Sequence, residues 1–300
     1  MSERKARPLF WIASYPHSGD LAVRSFLQQV AKIKGYRPND PASLEYLNRD
    51  VPWDTDVWFY REVIGKEPTE LSETEIAAAR PKIHDYLSKK YPGLPFIKTH
   101  AVRAEFYGEP SINTKVSGGS IYLMRNPLNL VMAFAYAGKR KPLDAIKLLA
   151  TSEYRQPTTK QNAMEPWGSW SENVKSWTEA GLPQDMTVRF EDLLADPHGQ
   201  FKRIADHMRL GVDEKELKKA ADEAIKTLGI EGKKASSDPW KQGLTPAYAR
   251  SVLEVHAQQM ARFGYLTNEV LNFAEIDRDT ALRSSAALSQ LQAANVNVAH

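Results

Sequence analysis

A short apolar run, Leu9-Phe10-Trp11-Ile12, leads through a turn of small residues into a helical pattern. This junction constrains the fold more than any other stretch of the chain. The run reads as a buried strand. Beyond the turn Ala13-Ser14-Tyr15-Pro16-His17-Ser18-Gly19-Asp20, residues Val23, Phe26, Leu27, Val30 and Ile33 recur at helical spacing. Lys32 and Lys34 fall in the last turn and Gly35 follows, which is how helices stop. A turn of this kind aims free backbone N–H groups and the positive end of a helix at one point, so it predicts an anion site. It is not a Gly-x-x-x-x-Gly-Lys-Ser/Thr loop. Taken alone, the junction also fits an ordinary strand–turn–helix in which Asp20 caps the helix.

Further strands are predicted at Pro95–Thr99, Ser120–Met124 and Met186–Phe190, after the first at Leu9–Ser14, with helical patterns between and after them. Such alternation predicts an α/β fold, a central, mostly parallel sheet flanked by helices. Asn126-Pro127, Asp196-Pro197 and Thr245-Pro246 each set a capping side chain before a proline at the first helical position. Gly181 and Gly264 mark helix ends. The stretch from Tyr36 to Tyr60 reads as irregular, Leu71–Lys90 as a helix with a kink or boundary at Pro81, and Gly229–Gly243 as a long loop. No linker or repeat divides the chain. A single domain is expected over residues 1–275, followed by a peripheral helix or flexible tail over 276–300.

Composition excludes several function classes. The 300 residues carry 40 basic and 37 acidic side chains, a net charge of +3, so no overall nucleic-acid or membrane signal exists. With no cysteine, disulfides, thiolate catalysis and cysteine-ligated metals are ruled out. The apolar run Leu9–Ala13 behind a basic N-terminus is too short for a signal peptide or a span. A cytoplasmic protein without nucleic-acid or membrane partners is expected. The oligomeric state is left open.

Four segments in order carry a resemblance. Trp11-Ile12-Ala13-Ser14-Tyr15-Pro16-His17-Ser18-Gly19 resembles the 5′-phosphosulfate loop of the sulfotransferases, and Phe96-Ile97-Lys98-Thr99-His100 their Lys-Thr-His segment. Tyr122-Leu123-Met124-Arg125-Asn126-Pro127 resembles the strand and helix start that hold the 3′-phosphate. Val188-Arg189-Phe190-Glu191-Asp192-Leu193 is similar to their Tyr-Glu-Asp-Leu strand end. Trp167-Gly168-Ser169-Trp170 with Trp177, and Trp240 with Leu244-Thr245, agree with the family's Gly-Ser-Trp helix and late loop. The resemblance is to bacterial relatives of the cytosolic enzymes acting on small molecules. It implies a P-loop-like α/β fold. It also implies transfer of a sulfuryl group from 3′-phosphoadenosine 5′-phosphosulfate, as co-substrate, to a hydroxyl (phenol included) or amine of a small acceptor, without a metal.

Residue by residue, the resemblance makes His100 the general base and Lys98 the cation that neutralises charge on the transferring group. Strand alternation supports this, since Lys98 and His100 share one side and Thr99 the other. Imidazole suits proton transfer near neutral pH, and the end of a parallel strand is where open α/β sheets place their sites. Arg125 becomes the 3′-phosphate clamp, through its fixed donor fork. Co-substrate contacts are further expected from His17, Ser18, Gly19, Asp20, Lys233, Lys234 and Trp240. Trp53, Trp58, Phe106, Tyr107 and Tyr136 are candidates for an acceptor pocket.

The pattern breaks in places. His17 stands where the family has lysine, Asp20 and Leu21 where it has hydroxyl or amide donors and a threonine, and Ala22 where it has tryptophan. Ala133 replaces a serine, and Lys233-Lys234-Ala235 replaces Arg-Lys-Gly. Asp20 is expected to repel a phosphosulfate and, as a cap, to occupy N–H groups the ligand needs. These changes define the competing expectation, a sulfotransferase fold that binds or scaffolds with little or no transfer.

Overall fold

The computed structural model describes residues 8–34, 51–90, 96–179, 181–182, 184–227 and 238–296. Its centre is a parallel sheet of four strands, β1 (Leu9–Ser14), β2 (Phe96–Thr99), β3 (Ser117–Met124) and β4 (Gln184–Arg189), in the order β2-β1-β3-β4. Strand β1 pairs Ile12 with Lys98 on one side and with Ile121 on the other, and β3 pairs Leu123 with Val188. Because both faces are covered, β1 is apolar at nearly every position rather than alternating.

Each face has its own core. Leu9, Trp11, Ala13, Ile97 and Tyr122 pack with helices α3 (Glu73–Lys90), α4 (Pro127–Gly138), α5 (Pro142–Ala150) and α6 (Trp170–Thr178). Phe10, Ile12, Ile121, Leu123 and Val188 face α1 (Asp20–Ile33), α8 (Pro197–His207) and α9 (Glu214–Thr227). Phe26 of α1 stacks on Phe201 of α8, with ring centroids 4.5 Å apart.

The helix starts follow local chemistry. Asn126, Asp196 and Thr245 cap α4, α8 and α11 (Pro246–Arg262), their side chains accepting from Leu128, Gly199 and Tyr248 N–H. Ser169 and Glu172 form a reciprocal capping box on α6. Gly264, at φ 74°, follows α11 as expected. Gly181 does not end a helix, since α6 already stops at Thr178.

Several sequence boundaries are corrected. Asp56 caps a helix, α2 (Val57–Ile64), inside the stretch read as irregular. Helix α3 continues through Pro81 instead of stopping there. Strand β4 ends at Arg189, and Phe190 opens the short helix α7 (Phe190–Ala195). The end of the expected late loop is a helical turn, α10 (Trp240–Gly243). After α12 (Asn268–Ala274), residues Arg278–Val296 form α13. Its Ala281 and Ser285 are buried, and Ser285 Oγ donates to Val255 O on α11 at 2.8 Å. Small residues, with the partly buried Leu282 beside them, seat this helix.

Candidate active site

The C-terminal ends of β1, β2 and β3 open into one cavity of about 630 Å³. His17, Gly19, Asp20, Lys98, His100 and Arg125 line it, together with Trp53, Trp167 and Phe190. Side chains far apart in sequence meet there because parallel strands deliver their C-terminal ends to one edge.

The β1–α1 turn is built by backbone geometry. His17 and Gly19 both adopt left-handed φ, 66° and 93°. A Cβ on Gly19 would sit 2.2 Å from the Phe190 ring, so only glycine fits. Ser18 is buried, and its Oγ has no hydrogen-bond partner among the described residues. The His17 ring packs edge-on against Phe134 at 4.6 Å. Burial, then the Arg125 charge, lowers its pKa, so this histidine is neutral.

Asp20 differs from its expected role. Gly19 is the helix cap, and Asp20 is the first residue inside α1. Its carboxylate takes a hydrogen bond from Arg24 Nε at 3.0 Å and lies 3.6 Å from Lys98 Nζ. Two cations offer more to a buried carboxylate than a neutral N–H does. Burial works to raise its pKa, but Lys98, His100 and Arg24 outweigh it and hold the group well below the usual carboxylate range. Asp20 is therefore a neutralised anion inside the cavity.

Lys98 and His100 do share one side of β2, while Thr99 Oγ1 turns away to Asp54 and Glu165. The Lys98 ammonium also lies 3.6 Å from the Trp53 ring centroid. Burial lowers its pKa, with Asp20 pulling the other way. His100 is held on several sides. Its N–H donates to Glu165 Oε1 at 2.7 Å, and its carbonyl accepts from Asn173 Nδ2 at 2.9 Å. Its Nδ1 lies 2.8 Å from Ser14 O, a carbonyl that can only accept, so Nδ1 carries the proton and Nε2 is left as the free base. Burial, and then the Lys98 charge, push its pKa down to about 3.

Arg125 stands just beyond β3. Its Nη1 donates to His17 O at 3.0 Å, and its guanidinium lies over Phe190 at 4.8 Å. The buried Nε has no hydrogen-bond partner among the described residues. The orphaned Arg125 N–H beside the cavity fits a phosphorylated ligand, whereas Ser18, expected among the co-substrate contacts, is fully buried and not among the cavity residues. Asp20 on Lys98 fits such a ligand less well.

Other expected residues lie elsewhere. Trp240 is buried edge-on against Phe273 and is not among the cavity residues. Lys233 and Lys234 lie outside the described residues. Of the acceptor-pocket aromatics only Trp53 lines the cavity; Tyr136 is 90% exposed, and Trp58 and Tyr107 are also exposed. Sequence reasoning missed Arg24 and Glu165. Arg24 was detectable as the i+4 partner of Asp20 on a helix. Glu165 had no local signal, because its partners are all distant or aromatic. Among the described residues no cluster of three or more His, Cys, Asp or Glu side chains could hold a metal, and no helix is long and apolar enough to cross a membrane.

These features define an α/β protein with a parallel sheet and a polar cavity, lined by a buried lysine and an imidazole, at the C-terminal edge of its strands. More specifically, the chain belongs to the sulfotransferase family: the model of the sulfotransferase domain matches residues 7–264. A sulfotransferase 1C2 from Oryctolagus cuniculus is 36% identical over 63 residues, 21% of this chain and 21% of that protein. Mouse sulfotransferase SULT7A1, solved in complex with PAP (3′-phosphoadenosine 5′-phosphate), aligns over 91% of each chain at 16% identity with a TM-score of 0.53. A retinol dehydratase, solved with androsterone and inactive cofactor PAP, aligns over 91% of this chain and 84% of its own at 15% identity with a TM-score of 0.49. The P-loop-like α/β fold follows from the family match and the SULT7A1 likeness together.

Proposed function

We propose that the protein transfers a sulfuryl group from 3′-phosphoadenosine 5′-phosphosulfate to a hydroxyl or amine of a small molecule, with no metal. One observation carries this reading. Lys98, His100, Arg125 and the His17–Asp20 turn, from three separate strand ends, converge on a single cavity. In the transfer a bond forms between the acceptor oxygen and sulfur as the sulfur–oxygen bond to phosphate breaks. His100 Nε2 takes the acceptor proton, while Nδ1–H on Ser14 O fixes the ring and its tautomer. Lys98 neutralises charge that develops on the oxygen between sulfur and phosphorus. Arg125, with its unpartnered Nε, holds the 3′-phosphate, and Lys233 or Lys234 would complete that clamp. The backbone around Gly19 would face the 5′ side. The catalytic unit is read as residues 1–275 with the C-terminal segment peripheral to it, acting in the cytoplasm.

The second reading, a binding protein with little transfer, is favoured by one observation. Asp20 already pairs with the lysine that the transferring group needs. Calorimetric titration with PAP tests the first reading at the level of binding. Arg125→Ala should weaken PAP far more than it weakens adenosine 5′-phosphate. Equal losses for both would remove Arg125 from the 3′-phosphate, and no binding of PAP by the wild type would remove the nucleotide from the cavity.

A further inference from the structure

We infer that Glu165 is a positioning residue for the transfer proposed above, on which the inference rests: one carboxylate sets both the base and two walls of the acceptor space. Glu165 is 1% exposed and is not among the residues lining the cavity. It lies on a two-residue strand, Glu165–Pro166, that pairs antiparallel with Arg155–Gln156. Pro166 O receives Val102 N–H at 2.8 Å, which pins the segment beside the His100 loop.

Four donors converge on its two oxygens. Oε1 accepts His100 N–H at 2.7 Å, Trp53 Nε1–H at 3.1 Å and the Thr99 hydroxyl at 3.3 Å. Oε2 accepts Trp167 Nε1–H at 2.9 Å. The two indoles flank the His100 ring, with centroids 5.2 and 6.2 Å away and planes at 86° and 83° to it. All three rings line the cavity. Ser14 and Asn173 also hold His100, but Glu165 differs from them in fixing both indole rings as well.

The chemistry requires a group that accepts at both ends. An ionised carboxylate does this; a glutamine must turn an NH₂ toward at least one donor. Burial and then the Asp54 charge raise its pKa, while the Arg80 guanidinium, the His100 backbone N–H and the Trp53 indole N–H oppose that rise. For an acceptor placed against Trp53 and Trp167, Glu165 thus ties both of these walls to the backbone of His100. An ångström of slack there costs rate in a reaction that depends on alignment.

The test is Glu165→Gln in the full chain, with steady-state kinetics, PAP calorimetry and indole N–H spectra. Turnover should fall roughly tenfold or more and the acceptor KM should rise, while the PAP dissociation constant changes less than about twofold. Of the seven tryptophan indoles, the resonances of Trp53 and Trp167 should shift and the others hold. A folded Glu165→Gln variant with wild-type turnover and acceptor KM overturns the inference. So does a parallel loss of acceptor and PAP parameters with a lower melting temperature, which is a purely structural role. If that variant does not fold, Trp167→Phe and Trp53→Phe each remove one donor and leave the carboxylate; unchanged acceptor KM and turnover in both overturns it as well. A wild type without any transfer refutes the transferase reading and the inference with it, whereas transfer that Glu165→Gln leaves intact refutes the positioning role alone.

Discussion

Replacing Asp20 with asparagine should weaken the empty protein and strengthen its grip on the nucleotide. The Asp20 carboxylate lies 3.6 Å from Lys98 Nζ and 3.0 Å from Arg24 Nε, and both ion pairs are nearly buried. At an effective dielectric constant of about 20, unit charges 3.6 Å apart interact by about 4.6 kcal/mol. That figure is gross, since all partners give up hydration to meet. An incoming phosphate or sulfuryl oxygen must compete with Asp20 for Lys98 and also face its negative charge. The Asp20→Asn substitution keeps the shape and removes both obstacles. We expect PAP affinity to rise by roughly 1–3 kcal/mol, about 5- to 150-fold. Taking away the carboxylate that Lys98 and Arg24 share should cost about 3 kcal/mol of stability in the unliganded protein. Calorimetry gives the affinity, and urea unfolding with and without PAP gives the stability. An Asp20→Asn variant that folds but binds PAP no better, or worse, would show that Asp20 organises the ligand site instead of competing for it.

Two further outcomes follow from buried histidines. His100 and His256 are both held near a pKa of about 3, chiefly by burial. Below the unfolded value of about 6.5 the unfolded chain takes up protons these two cannot accept in the fold, so stability falls with pH, by up to about 2.7 kcal/mol per unit for the pair. Urea midpoints between pH 6.5 and 5 should drop accordingly, and His256→Phe should lower the slope by up to about 1.4 kcal/mol per pH unit; an unchanged slope contradicts the assignment. For the same reason kcat/KM should stay flat on the acid side to below about pH 5. An acid limb near pH 6.5 would mean that the base titrates as an ordinary exposed histidine.

Much of the fold could be read from local rules. The strand Leu9–Ser14 is found with the expected bounds, and Asn126, Asp196 and Thr245 cap helices as their prolines announce. The shared side of Lys98 and His100 follows from strand alternation alone, and both side chains line the cavity. What escaped reading is non-local. Whether Asp20 caps a helix or pairs with cations depends on Lys98, which arrives from a different strand far along the chain. Glu165 is buried under an aromatic stretch with no periodic signal, and its partners come from residues 53, 99, 100 and 167. For the C-terminal segment the sequence left helix and tail both open, because its packing uses Ala281 and Ser285, which contribute little to an apolar pattern. Trp240 carried a motif-like context, yet it serves a core contact with Phe273.

If His100, beside Lys98, drives sulfuryl transfer, the reaction must depend on its imidazole. The most direct test is incubation of the full chain with ³⁵S-labelled 3′-phosphoadenosine 5′-phosphosulfate and a panel of phenols, alcohols and amines, beside a His100→Ala variant. Labelled product and PAP should form in equal amounts with at least one acceptor, at a rate roughly 10²–10⁴-fold lower in the folded variant. Transfer that survives His100→Ala undiminished, or a wild type that binds PAP yet labels no acceptor, would contradict that role.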